Sequence, residues 1–118
     1  MILSIYVDGS GGSESGYGFF VKETGESFHK KEPNITNNQA EYMAIIDVMK
    51  KFVDSKDEIT IFSDSKNTVS QLNHEYAINN DELRTLAREA WNLMGKYSNL
   101  KIKWIPRKEN LAGKMLGS

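Results

Sequence analysis

The chain has 118 residues, 39% hydrophobic and 26% charged, with a formal net charge of −1. That composition fits a single globular domain over residues 1–118 and excludes a disordered or fibrous chain. Cysteine is absent and the histidines are two, His29 and His74, which excludes a disulfide scaffold, a thiolate metal site and a His-rich metal site. No apolar run approaches the ~20 residues of a membrane span, and no charged segment leads into an apolar one at the start. A cytoplasmic monomer is expected.

Met1 to Asp8 is a mostly apolar run that stops at a glycine cluster, Gly9, Gly11 and Gly12, and reads as a buried strand. A second strand is expected over residues 16–22. Glu23-Thr24-Gly25-Glu26 then turns the chain into a third strand near 26–31, antiparallel because the connections are short. Pro33 and the Asn34–Asn38 stretch interrupt the sheet. A helix from about Asn38 to Val53 places Tyr42, Ile45, Ile46, Met49, Phe52 and Val53 on one stripe. Glu58 to Ser63 reads as a strand, Ser65 to Asn73 as a short helix, and Asp81 as the cap of a helix reaching about Tyr97. Leu100 to Ile105 forms the last strand, closed by Pro106, and a short helix can start at Asn110. The predicted class is α/β: a five-stranded mixed sheet, three strands antiparallel and the rest joined in parallel through helices, flanked by those helices.

Charge is unevenly spread. Residues 1–99 carry 10 Lys or Arg against 15 Asp or Glu, whereas residues 100–118 set Lys101, Lys103, Arg107, Lys108 and Lys114 against Glu109 alone. Such an end is either a phosphate-contacting surface or a solvated charged tail.

Three carboxylates occupy unusual places. Asp8 ends the first strand, Asp64 ends the fourth, and Glu41 sits in the first turn of the long helix beside its buried stripe. If strands one and four are parallel neighbours, Asp8 and Asp64 emerge side by side at the carboxyl edge, where open α/β sheets bind ligands. Like charges held that close call for a cation, and a set of oxygens without His or Cys suits a hard one, Mg²⁺ or Mn²⁺. Singly, each has an ordinary explanation as a turn residue, a helix-dipole partner or an N-cap. Trp91 and Trp104 are assigned to core packing and both histidines to the surface.

The segments Tyr6-Val7-Asp8-Gly9-Ser10, Thr36-Asn37-Asn38-Gln39-Ala40-Glu41, Phe62-Ser63-Asp64-Ser65-Lys66 and Trp104-Ile105-Pro106-Arg107-Lys108-Glu109-Asn110-Leu111-Ala112 resemble, in order, the signature blocks of ribonuclease H, type 1, in a short archaeal-like form. The resemblance covers essentially the whole chain. It implies an endonuclease that cleaves the RNA strand of an RNA/DNA hybrid by a two-metal mechanism, with Asp8, Glu41 and Asp64 as catalytic and metal-binding residues. Gly9, Ser10, Asn37, Asn38, Ser65, Lys66 and Arg107 fall on substrate-binding positions. Asn37 and Asn38 match contacts to the minor groove, where 2′-hydroxyls are displayed. Gly9 matches a close approach of backbone to RNA, and Lys66 replaces a groove contact with a phosphate contact.

The chain also departs from that pattern. The family's fourth carboxylate belongs three or four residues after Asn110, where Gly113 and Lys114 stand. Glu109 or Asn110 can supply the missing oxygen, three carboxylates can suffice, or the domain binds hybrid without cleaving it. A nuclease of the same superfamily acting on DNA duplexes or junctions is a further alternative. The family's basic insertion is missing too, with only His74 to Asn80 between the middle helices, so weak and salt-sensitive hybrid binding is expected.

Overall fold

A computed structural model describes residues 1–115. In chain order it contains β1 (Ile2–Ser10), β2 (Gly16–Val21), β3 (Ser27–Lys31), α1 (Asn37–Lys51), β4 (Glu58–Ser63), α2 (Lys66–Leu72), α3 (Asp81–Met94), β5 (Leu100–Trp104), a 3₁₀ turn (Arg107–Glu109) and α4 (Leu111–Met115). The strands form one sheet in the order β3-β2-β1-β4-β5. β1 pairs antiparallel with β2 and parallel with β4, which pairs parallel with β5. The expected mixed sheet is therefore present, with β1 at its centre.

Alternation within the strands selects the helix-facing side. Leu3, Ile5 and Val7 of β1 and Ile59 and Ile61 of β4 are buried, as are Tyr42, Ile45, Ile46, Val48 and Met49 of α1. Helix α1 packs on β1 and β2, and α3 packs on α1. On the other side of the sheet's pleat Tyr6 and Phe62 stack with ring centroids 5.0 Å apart, fitting their direct pairing across β1 and β4. No helix among the described residues is long and apolar enough to cross a membrane.

Several boundaries differ from expectation, each for a local reason. β1 does not stop at Asp8: it continues to Ser10, because Gly9 and Ser10 pair with Tyr17 and Gly16 across the hairpin. Helix α1 starts at Asn37, one residue early, since Thr36 and Gln39 form a capping box. That start puts Glu41 in the second turn, beyond any role at the helix N-terminus. Asn80, rather than Asp81, caps α3 by accepting from the Leu83 N–H; Asp81 pairs with Arg84 instead. α3 ends at Met94, and β5 ends at Trp104.

Gly9 joins the sheet to the helix layer. A Cβ at this position would lie 2.6 Å from the Ala40 carbonyl carbon and 2.8 Å from the Ala40 Cβ. The absent side chain thus has an internal cause, the close seating of α1 on β1, in addition to the approach to RNA inferred from the resemblance. Gly9→Ala should cost about 3 kcal/mol, the upper range for overpacking against backbone that cannot give way, as measured by urea unfolding.

Candidate metal centre

The three carboxylates meet. Asp8 comes from inside β1, Asp64 from the residue after β4, and Glu41 from α1; one oxygen from each lies within 4.8 Å of the others. Parallel pairing of β1 with β4 brings the two aspartates to one edge. Seating of Ala40 against Gly9 then delivers Glu41, the next residue, to the same point. Asp8 and Glu41 are buried and Asp64 is nearly so.

Glu41 is held by two donors. The Gly9 N–H donates to its Oε1 at 3.2 Å and the Ser63 hydroxyl to its Oε2 at 3.3 Å. These bonds favour the ionised form, but burial, followed by repulsion from Asp8 and Asp64, outweighs them. The Glu41 carboxyl is pushed up to about 8 from its ordinary 4.5. A buried trio of this kind is short of positive charge. Its donor set, oxygen only and anionic, fits a hard divalent cation.

Asp64 is fixed by the chain's last turn. Asn110, fully buried, donates from Nδ2 to Asp64 Oδ2 at 2.9 Å and to the Val7 carbonyl at 2.8 Å. Its own Oδ1 accepts from the Ala112 N–H at 3.0 Å. Asn110 was expected as a candidate oxygen donor to a cation; here that oxygen accepts from the first turn of α4, and the side chain faces Asp64 as a donor. Glu109 is exposed, in the 3₁₀ turn, and outside the carboxylate group. Gly113 is buried in α4, and the side chain of Lys114 lies outside the described part.

The remaining candidates surround this centre unevenly. Asn37 and Asn38 are exposed at the start of α1, with Asn37 Oδ1 accepting from the Gly11 N–H at 2.5 Å. Ser10 is exposed at the end of β1. Ser65 caps α2, its Oγ accepting from the Thr68 N–H, so its hydroxyl is occupied by the fold. Arg107 reaches within 3.8 Å of Asp64 Oδ2. Lys66 lies with Nζ 5.9 Å from the centre of the Trp104 ring.

Two features escaped the sequence reading. Trp104 is not core: it is 46% exposed, and its Nε1 donates to the Asp64 carbonyl at 3.2 Å. Trp91 does pack against the core, donating to the Leu72 carbonyl and carrying exposed His74 on its ring face. Ser63 is fully buried, and its hydroxyl links Glu41 to the Ser65 N–H. Its signal was a polar residue at an inward strand position, two after Ile61.

Residues 21–117 match the family model described as reverse transcriptase-like. A relative from Enterococcus faecalis, named "Putative hydrolase EbsB", is 28% identical over 123 residues, 98% of this chain and 90% of that protein. RNase H1 from the halophilic archaeon Halobacterium salinarum has a similar structure, with a TM-score of 0.87 at 25% identity over 98% of this chain and 94% of its own. LC11-RNase H1, solved in complex with an RNA/DNA hybrid, shares the fold with a TM-score of 0.84 at 23% identity over 97% and 92% of the two chains.

Proposed function

This chain belongs to the reverse transcriptase-like family and has the fold of ribonuclease H, and on that premise we propose that it hydrolyses the RNA strand of RNA/DNA hybrids with divalent cations, Mg²⁺ or Mn²⁺. The observation that carries this reading is the convergence of Asp8, Glu41 and Asp64 within 4.8 Å. Three segments far apart in the chain supply these carboxylates to one point.

When bound there, two divalent cations supply Lewis-acid stabilisation of the departing 3′ oxygen and a lowered pKa for the attacking water. The protein's own part is positional. Asp8, inside the central strand, and Asp64, held by Asn110, present fixed anionic oxygens. Glu41 gives up the proton that burial and its neighbours otherwise hold on it. Asn37 and Asn38, exposed beside the trio's helix, face the minor groove in this reading, where 2′-hydroxyls distinguish the RNA strand. Gly9 and Ser10 at the end of β1 run along that strand. Lys66 and Arg107 offset phosphate charge.

A second reading, a domain that binds hybrid without cleaving it, is favoured by one feature. The two positions where the family's fourth carboxylate is expected hold Gly113 and Lys114, neither an anionic ligand. An end-labelled hybrid incubated with Mg²⁺ and separately with Mn²⁺ decides between them. Cleavage with either ion, confined to the RNA strand and absent on DNA and RNA duplexes, is the expected result. Retained binding without cleavage under both ions selects the second reading, and preference for a DNA duplex rejects both.

A further inference from the structure

We propose that Trp104 and Lys66 form a contact for the sugar–phosphate backbone next to the scissile phosphate, the indole packing on a sugar and the ammonium meeting a phosphate. The proposal rests on the hybrid-nuclease reading above and adds Trp104, which the sequence pattern assigned to the core, beside the phosphate contact expected of Lys66.

Three observations support it. First, Trp104 is a large apolar side chain left 46% exposed at the end of β5. Leaving an indole in water forfeits burial energy unless a partner covers it. Second, its orientation is fixed. The backbone pairs with Ser63, the indole N–H donates to the Asp64 carbonyl, and Lys66 Nζ sits 5.9 Å from the ring centre. An exposed aromatic residue held in this way is preorganised for contact. Third, the residue it is bonded to is itself a member of the carboxylate trio. Whatever strand lies over Asp64 therefore passes the indole as well.

The chemistry of the ligand selects the contact. In a duplex the bases are stacked on one another, so an aromatic ring at the groove rim meets sugar rather than base. A sugar edge is apolar enough to pack on an indole, and phosphates flank it on both sides. Lys66, exposed and without a carboxylate in ion-pair contact among the described residues, has the reach and charge for one of them. The Lys66–ring interaction is a cation–π contact, which holds the ammonium near the rim before any strand arrives.

The test is hybrid binding in EDTA, so that no cleavage intervenes, across a salt series. Trp104→Ala should raise Kd about tenfold, which is ~1.4 kcal/mol, and Trp104→Phe should stay within about threefold of the parent. Lys66→Gln, an exposed change that leaves the fold alone, should reduce the slope of log Kd against log salt by about one phosphate contact. An unchanged Kd for Trp104→Ala overturns the proposal, as does Phe being as poor as Ala, since the effect would then run through the bond to Asp64. An unchanged slope for Lys66→Gln removes the phosphate half and overturns it too. Each of those outcomes occurs with a parent that still binds hybrid. A parent that binds no hybrid overturns the functional reading itself and this proposal with it.

Discussion

Asp8→Asn should abolish the proposed hybrid cleavage, with an expected loss of at least about a thousandfold, and leave the fold intact. Asn keeps the size of Asp and can accept hydrogen bonds, so β1 retains its pairing with β2 and β4. What it removes is one negative charge from a group of three buried carboxylates. In an all-oxygen site, ligand charge sets cation affinity, and the chemistry proposed for this site depends on the cations it holds. The check is single-turnover cleavage beside far-UV circular dichroism and thermal unfolding. A variant that cleaves at the parent rate shows that Asp8 holds no cation needed for the reaction.

The second large effect is on stability, and its sign follows from Glu41. Burial and the two aspartates push this carboxyl up to about 8. Between its ordinary 4.5 and that value, the folded protein holds a proton that the unfolded chain releases. Stability of the metal-free protein is therefore fullest below pH 4.5 as far as this group is concerned, and falls as pH rises towards 8. Glu41→Gln removes the dependence. Its Oε1 can still accept from the Gly9 N–H, and its amide can donate towards the aspartates. At pH 8 in EDTA the variant should be more stable than the parent by several kcal/mol, seen as a clearly higher Tm, with the two converging towards pH 4.5. Millimolar Mn²⁺ should stabilise the parent at pH 8 and narrow the gap, because a ligand that binds only the folded state adds to its stability. A gap that ignores pH shows that the group does not carry the proton assigned to it.

Much of this was legible because three kinds of local evidence agreed. The apolar run of β1, the short strand at β4 and the single stripe of α1 set the layers, and the short hairpin turn set the antiparallel half. The carboxylates were visible from their places at strand ends and beside the stripe, although Glu41 proved to be one residue further into the helix, which carries it past the first turn. The errors came where local chemistry was degenerate. Asn80 and Asp81 are both good N-caps, and only the geometry of the preceding loop chooses the first. Gly9 and Ser10 look like a turn, yet the facing glycine and tyrosine of β2 keep them in the strand.

Trp104 shows a different limit. It lies two residues after the buried Ile102 and so on the same side of β5. Periodicity states which face a residue occupies, but not how completely that face is covered, and here Trp104 is left 46% exposed. For Asn110 the residue type was informative and the atom was not. Whether its amide gives an oxygen or a nitrogen to the site depends on the Val7 carbonyl and the Ala112 N–H, and neither partner can be read from the motif.

Asn110 also sets an order on assembly. Its bond to the Val7 carbonyl joins residues 103 positions apart, so the clamp on Asp64 is among the last contacts that a chain made from its N-terminus can form. During synthesis the sheet's first strands can pair while the acidic trio still lacks its lock. A nascent chain of this protein therefore carries the three carboxylates, but not the fixed geometry of Asp64, until Asn110 has emerged. Maturation of the site is tied in this way to the arrival of Asn110.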